Sequence, residues 1–206
     1  MSKINYGHYV ANTDLLGPYQ RGVLWVQKCC FSCPGCVAKS MQGEGGFWID
    51  SEQMAEFFLN QPEIEGITIS GGEPFLQPEA LTEMIHFIRR KKDLGVIVYS
   101  GLYMKELEKL AERNVHVHDF LKEIDLLIDG RYEIEKDENR KAVGSSNQQI
   151  HLLTERYAEC VESYYTPEGR KSEIRIFGKQ LQLIGVPDKA GVRFWKSIQR
   201  EKHDDK

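Results

Sequence analysis

"GVLWVQKCCFSCPGC", Gly22 to Cys36, couples a short apolar run to four of the chain's five cysteines. Gly22 to Gln27 is β-rich and reads as a buried first strand, so the cysteines sit on the loop that follows it. Their spacing is Cys29-x-x-x-Cys33-x-x-Cys36, with Cys30 outside the pattern. Three thiolates on one compact loop are one short of the four that close a tetrahedral zinc site or a cubane cluster. One metal position is left open to a small molecule. The odd cysteine total argues against a disulfide framework, and the N-terminus has no apolar core between a basic flank and a cleavage site. Both point to metal binding or catalysis in a reducing, cytoplasmic compartment.

Downstream the pattern of strand, special loop and helix repeats. "IDSEQMAEFFLNQ" offers Asp50 or Ser51 as N-cap of an amphipathic helix with Met54, Phe57 and Phe58 on its apolar side. "GITISGGEP" is a strand ending in glycines, and "QPEALTEMIHFIRRKKD" starts a helix at Pro78 with Leu81, Met84, Ile85 and Ile88 on one face. "GVIVYSG" is a strand, "YMKELEKLAERN" a helix, and Ile124 to Gly130 another buried strand. "HVHD" reads as exposed loop histidines, and "QQIHLL" as one more strand. This alternation predicts an α/β fold with a mostly parallel sheet and outer helices. Ligands in such folds collect at the carboxyl ends of strands, where the cysteines, "SGGEP", "YSG" and "DGRY" all fall.

The tail differs. "SEIRIFGKQLQLIG" sets Ile174 and Ile176 against Leu181 and Leu183 around a Gly178-Lys179 turn, a β-hairpin pattern, and "AGVRFWKSIQREKHDDK" reads as a short helix with a frayed end. The 206 residues fit one domain, with a core of about 17–153 and an extension of about 154–206. A net charge of −4 supplies no basic field for nucleic acid, and no apolar stretch nears the ~18 residues of a membrane span.

The triplet after the first strand resembles the cluster loop of the radical S-adenosylmethionine superfamily. "SGGEP" resembles that superfamily's glycine-rich segment. "CPGC", "YSG" before "KELEKL", "LLIDGRY" and "GSSNQQI" (Gly144 to Ile150) are similar to landmarks of the anaerobic ribonucleotide reductase activating enzymes and other glycyl-radical activases, in order. The resemblance implies a partial (β/α) barrel in which Cys29, Cys33 and Cys36 hold a 4Fe-4S cluster whose fourth iron takes S-adenosylmethionine. Gly35 and Val37 would flank its methionine, Gly71, Gly72 and Glu73 would meet its amino end, and Tyr99 and Ser100 are further contacts. Asp129 and Arg131 are candidates for the substrate mouth, and Asn147 for a local turn device. Cys30 is expected to point away as a small buried hydrophobe.

The implied reaction is reductive cleavage of S-adenosylmethionine to methionine and a 5′-deoxyadenosyl radical, an oxidoreductase activity. It would install a glycyl radical on a partner such as anaerobic ribonucleotide reductase, with electrons from a flavodoxin or ferredoxin-like donor. One alternative is radical chemistry on a small molecule or peptide. Another is a zinc-stabilised, non-enzymatic interaction module whose metal is completed by Cys160, His116 or His118. The chain departs from the family pattern at Val37, where an aromatic or histidine is usual, at Ala142-Val143, where a basic residue precedes "GSSNQ", and in its roughly fifty-residue tail.

Overall fold

The structure, a computed structural model, describes residues 1–167, 169–177 and 180–204. Its centre is a mixed seven-stranded sheet in the order β3-β1-β2-β4-β5-β6-β7. The strands are β1 (Lys3–Thr13), β2 (Arg21–Val26), β3 (Phe47–Asp50), β4 (Gly66–Gly71), β5 (Gly95–Tyr99), β6 (Leu126–Asp129) and β7 (Gln149–Leu152). β2, β4, β5 and β6 run parallel, as the repeating pattern predicts. The flanks are antiparallel, with β1 between β2 and β3 on one side and β7 against β6 on the other. The parallel character is thus confined to the centre. The seven residues between β1 and β2 are too few for the crossover that parallel neighbours need, which sets that pair antiparallel. The cysteines accordingly follow the second strand, not the first.

Side chains alternate across the sheet with the period of two that strands impose. Leu24, Val26, Ile67, Ile69, Val96, Val98 and Leu127 face one side, and their cluster takes in the apolar stripes of α1 (Ser51–Leu59), α2 (Pro78–Arg89), α3 (Met104–Ala111) and α4 (Val115–Lys122). The alternate residues Val23, Trp25, Ile97, Leu126 and Ile128 face the other side, which carries no helix of this layer. A mixed sheet with its main helices on one face is consistent with a partial (β/α) barrel.

Local readings meet two refinements. Asp50 occupies the N-cap of α1 without a side-chain cap bond, while the buried Ser51 hydroxyl donates to the carbonyls of Ser2 and Ala80. His116 and His118 are exposed, but on α4, whose N-cap Asn114 accepts from the backbone N–H groups of His116 and Val117. A histidine-rich segment that could be a loop becomes helical because Val117 and Phe120 recur at helical spacing and are buried.

The tail covers this second face of the sheet. It contains α5 (Val161–Tyr164), the hairpin of β8 (Ser172–Phe177) and β9 (Gln180–Gly185), and α6 (Lys189–Asp204). Ile174 lies opposite Leu183 and Ile176 opposite Leu181, the register expected. The Gly178-Lys179 turn and the chain end after Asp204 lie outside the described residues. α6 spans 16 residues, longer than the short helix expected. The hairpin anchors through Ile184, buried with Val10, Leu16, Val23 and Trp25, whereas Ile176 is 72% exposed. Tyr157, Tyr164 and Tyr165 cover Ile97, Leu126 and Ile128 together with Ala142 and Val143. This accounts for one departure: 142–143 lie under a tyrosine layer, where a charged side chain would be desolvated. Among the described residues no helix is long and apolar enough to cross a membrane.

Candidate functional site

β2 ends at Val26, and Lys28 turns the chain with a left-handed φ of 74°. The cysteine loop is then held by backbone bonds, Lys28 N–H to Met41 O at 2.9 Å and Cys29 N–H to Gln42 O at 3.1 Å. "CPGC" is a tight turn: Cys36 N–H reaches Cys33 O at 3.2 Å, and Gly35 takes a φ of +78°. Proline followed by glycine with a positive φ is the pairing that type II turns favour. The Phe31 ring lies under the Arg131 guanidinium, 4.5 Å from centroid to Cζ, and Arg131 also pairs with Glu106 at 2.9 Å. Arg131 thereby ties the loop to the end of β6.

Cys29, Cys33 and Cys36 line one cavity of about 190 Å³ at the carboxyl ends of the parallel strands, with Gly35, Val37, Gly71, Gly72, Glu73, Tyr99, Ser100 and Arg131. Every cysteine in the chain is free. Burial pushes the Cys29 thiol up to about 11 and raises that of Cys36. A bound cation reverses this preference, because a coordinating thiol is deprotonated. Among the described residues, no group of three or more His, Cys, Asp or Glu side chains is gathered to hold a single metal ion. Three cysteines and, among the described residues, no histidine line that cavity, an all-sulfur donor set of the kind that holds iron–sulfur clusters. Cys160 packs beside the buried tyrosines, and His116 and His118 stand on the outer helix α4, so none of the three completes a zinc site at the loop. Cys30 is exposed, correcting the expectation of a buried hydrophobe.

The "GGE" segment is built into the sheet. Gly72 N–H donates to Val26 O at 2.8 Å and Glu73 N–H to Lys28 O at 2.9 Å, and a Cβ at Gly72 would run into the Lys28 carbonyl. Gly71, at φ +103°, needs its glycine for conformation as well. Glu73 is fully buried and accepts from Ser100 Oγ (2.9 Å), Gly101 N–H (2.8 Å) and Phe75 N–H (3.1 Å). Burial raises its pKa, against the lowering effect of those donors. Its neighbours are two backbone donors and a hydroxyl, so Glu73→Gln must turn its new N–H₂ toward at least one N–H. We expect a loss of about 1–3 kcal/mol in urea unfolding. An unchanged midpoint would mean that the carboxylate is not the tie between β4 and β5.

Tyr99 donates its hydroxyl to Ala142 O at 3.0 Å, and the Ser100 hydroxyl is engaged with Glu73. What either offers a ligand is backbone or ring surface. Asp129 does not reach the mouth. Its carboxylate accepts from Met104 N–H at 2.7 Å and Gln149 N–H at 3.1 Å, while Arg131 lines the cavity. Asn147 works at long range, with Nδ2 donating to Arg131 O at 2.8 Å. The local device in "GSSNQ" is Gln148, whose Oε1 accepts from Gly144 and Ser145 N–H groups while Nε2 donates to Gly130 O. "GSSNQ" therefore clamps the "DGRY" rim. Arg170, from the tail, also lines the cavity and bonds Asp137 and the Gly144 carbonyl. Nothing in its local sequence marks it.

A family model described as 4Fe-4S single cluster domain matches residues 15–151. The anaerobic ribonucleoside-triphosphate reductase-activating protein of Escherichia coli (strain K12) is 30% identical over 160 residues, which cover 73% of this chain and 99% of that protein. The protein of the same name from Salmonella typhi is 32% identical over 162 residues, with the same coverage. That of Enterobacteria phage T4 is 25% identical over 158 residues, 74% of this chain and 96% of its own length. Cavity, cysteine loop and relatives agree: the chain belongs to the family of anaerobic ribonucleoside-triphosphate reductase-activating proteins, a radical-S-adenosylmethionine-related family with a 4Fe-4S single cluster domain.

Proposed function

We propose that the protein cleaves S-adenosylmethionine reductively to a 5′-deoxyadenosyl radical and uses it to place a glycyl radical on a partner enzyme, an anaerobic ribonucleotide reductase. The observation that carries this reading is that the three cysteines share one cavity wall with Gly71, Gly72 and Glu73 at the ends of parallel strands. Cys29, Cys33 and Cys36 would hold the 4Fe-4S cluster, which when bound supplies the low-potential electron. The chain's own contribution is position. Gly35 and Val37 flank the proposed methionine site, and Gly71 and Gly72, fixed against β2, present backbone to its amino end. Glu73 and Ser100 hold the β4 and β5 loops at a constant separation, and Tyr99 walls the floor. Arg131 braces the loop through Phe31. The reductant would be a flavodoxin or ferredoxin-like protein.

One observation favours a second reading, radical chemistry on a small molecule or peptide: the tail lays a hairpin and Arg170 against the cavity. Electron paramagnetic resonance separates the two. Reconstituted protein, S-adenosylmethionine, dithionite and an anaerobic ribonucleotide reductase are expected to give a glycyl-radical doublet. Release of 5′-deoxyadenosine without that doublet would transfer the assignment to the second reading.

A further inference from the structure

A second chamber of about 590 Å³ adjoins the cysteine cavity and shares the Gly35–Ala38 stretch with it. Its apolar lining includes Trp25, Met41, Leu181, Leu183 and Trp195. Lys39 and Lys196 are exposed, so their charges lie toward solvent. Gln182 breaks the pattern. It is 7% exposed, lines the chamber, and neither Nε2 nor Oε1 has a partner among the described residues. Two residues on, Ile184 is locked into the sheet's inner face, and residues two apart on a strand share a side, so Gln182 is held in this buried position. Among the described residues β9 pairs on one side only, with β8, and Leu181, Gln182, Leu183 and Gly185 of β9 all line the chamber.

We propose that this chamber receives the radical acceptor as an extended peptide segment laid beside β9, with one of its peptide units paired to the Gln182 carboxamide. A carboxamide offers a donor and an acceptor, and a peptide unit presents the complementary pair. An unpaired strand edge binds extended peptides through main-chain hydrogen bonds, with pockets reading alternate side chains. A charged small molecule would find no buried counter-charge among the lining side chains named above. The family match ends at residue 151, before the chamber's outer wall begins, so this wall is an addition to the shared domain. The inference rests on the adjoining cavity being the site of S-adenosylmethionine cleavage.

The test uses an uncharged, end-blocked pentapeptide of alternating valine and glycine, followed by emission from Trp25 and Trp195 in the reconstituted protein. Saturable quenching or shift is expected. Gln182→Met keeps the volume and removes the orphan amide, so its thermal midpoint is expected to stay or rise while peptide affinity weakens about tenfold. Absence of binding to the parent protein would overturn the proposal. So would equal affinity in the variant, or a variant that unfolds readily, since the amide would then be an internal strut. If the parent releases no 5′-deoxyadenosine yet binds the peptide through Gln182, the radical reading fails and the peptide site stands.

Discussion

Cys33→Ala protein, reconstituted with iron and sulfide without oxygen, is expected to come out nearly colourless and to release 5′-deoxyadenosine more than a hundredfold more slowly than the parent. Groups that merely orient metal ligands are worth about 10–100-fold when removed, so losing a ligand itself should exceed that range. The same holds for Cys29→Ala and Cys36→Ala. Cys30→Ala is the control within the loop: Cys30 is exposed and absent from the cavity lining, so colour and turnover should survive. Iron content, visible absorbance and nucleoside release give three independent readouts. A Cys30→Ala protein without cluster beside a Cys29→Ala protein with one would move the ligand set by a residue and change which face of the loop carries the iron.

What the sequence made legible follows a physical line. Val23, Leu24 and Val26 of β2, Ile67 and Ile69 of β4, and Val96, Ile97 and Val98 of β5 are near-continuous apolar runs because both faces are buried, and such runs announce themselves. β1 does not. Its buried Ile4, Asn5, Val10 and Thr13 are separated by half-exposed aromatics and by register shifts, so neither an apolar run nor a clean two-residue alternation marks it. β3 is an edge strand with Phe47 and Trp48 largely exposed, and nothing in four residues sets it apart from a loop. The cysteine loop was readable because its chemistry is local. The clamp of "GSSNQ" on "DGRY", the stack of Arg131 on Phe31 and the arrival of Arg170 were not, since each joins segments far apart in the chain.

The hairpin shows the same limit in energetic form. Its apolar alternation sets the pairing of β8 with β9 correctly, yet the residue buried toward the chamber is Gln182, while Ile176 stands in solvent. Pairing depends on register within the hairpin. Which face is buried depends on the sheet that receives it, and Ile184 decides that by filling the space between Val10, Val23 and Trp25.

Arg21 carries the other large expectation. It precedes an apolar run and would pass for a solvated flank, yet its side chain is fully buried at the amino end of β2. Nε donates to Thr68 Oγ1 at 2.9 Å, Nη1 to Glu65 at 2.7 Å and Tyr157 at 2.7 Å, and Nη2 to the carbonyls of Ile67 and Gly95 at 2.7 and 3.0 Å. One guanidinium therefore joins β2, β4, the start of β5 and the tail, in the planar fork geometry that lysine lacks. A Cβ at Gly66 would strike the Arg21 guanidinium, so that glycine also keeps the space open. Arg21→Met preserves volume but leaves the Ile67 and Gly95 carbonyls without this donor and removes one of the two charge partners of Glu65. Breaking a buried pair from one side costs about 3–5 kcal/mol, and that loss is expected in urea unfolding of the cluster-free protein. Arg156 also pairs with Glu65 at 2.7 Å and still neutralises that carboxylate in Arg21→Met, so adding Glu65→Gln should deepen the loss rather than relieve it. The cysteines lie beyond the opposite end of β2, roughly 17 Å along the strand at ~3.3 Å per residue. Turnover per folded, cluster-loaded molecule should therefore be unchanged by Arg21→Met. A loss below about 1 kcal/mol, within the range of an exposed ion pair, would show that the network is dispensable and that the apolar faces alone hold the sheet to its tail.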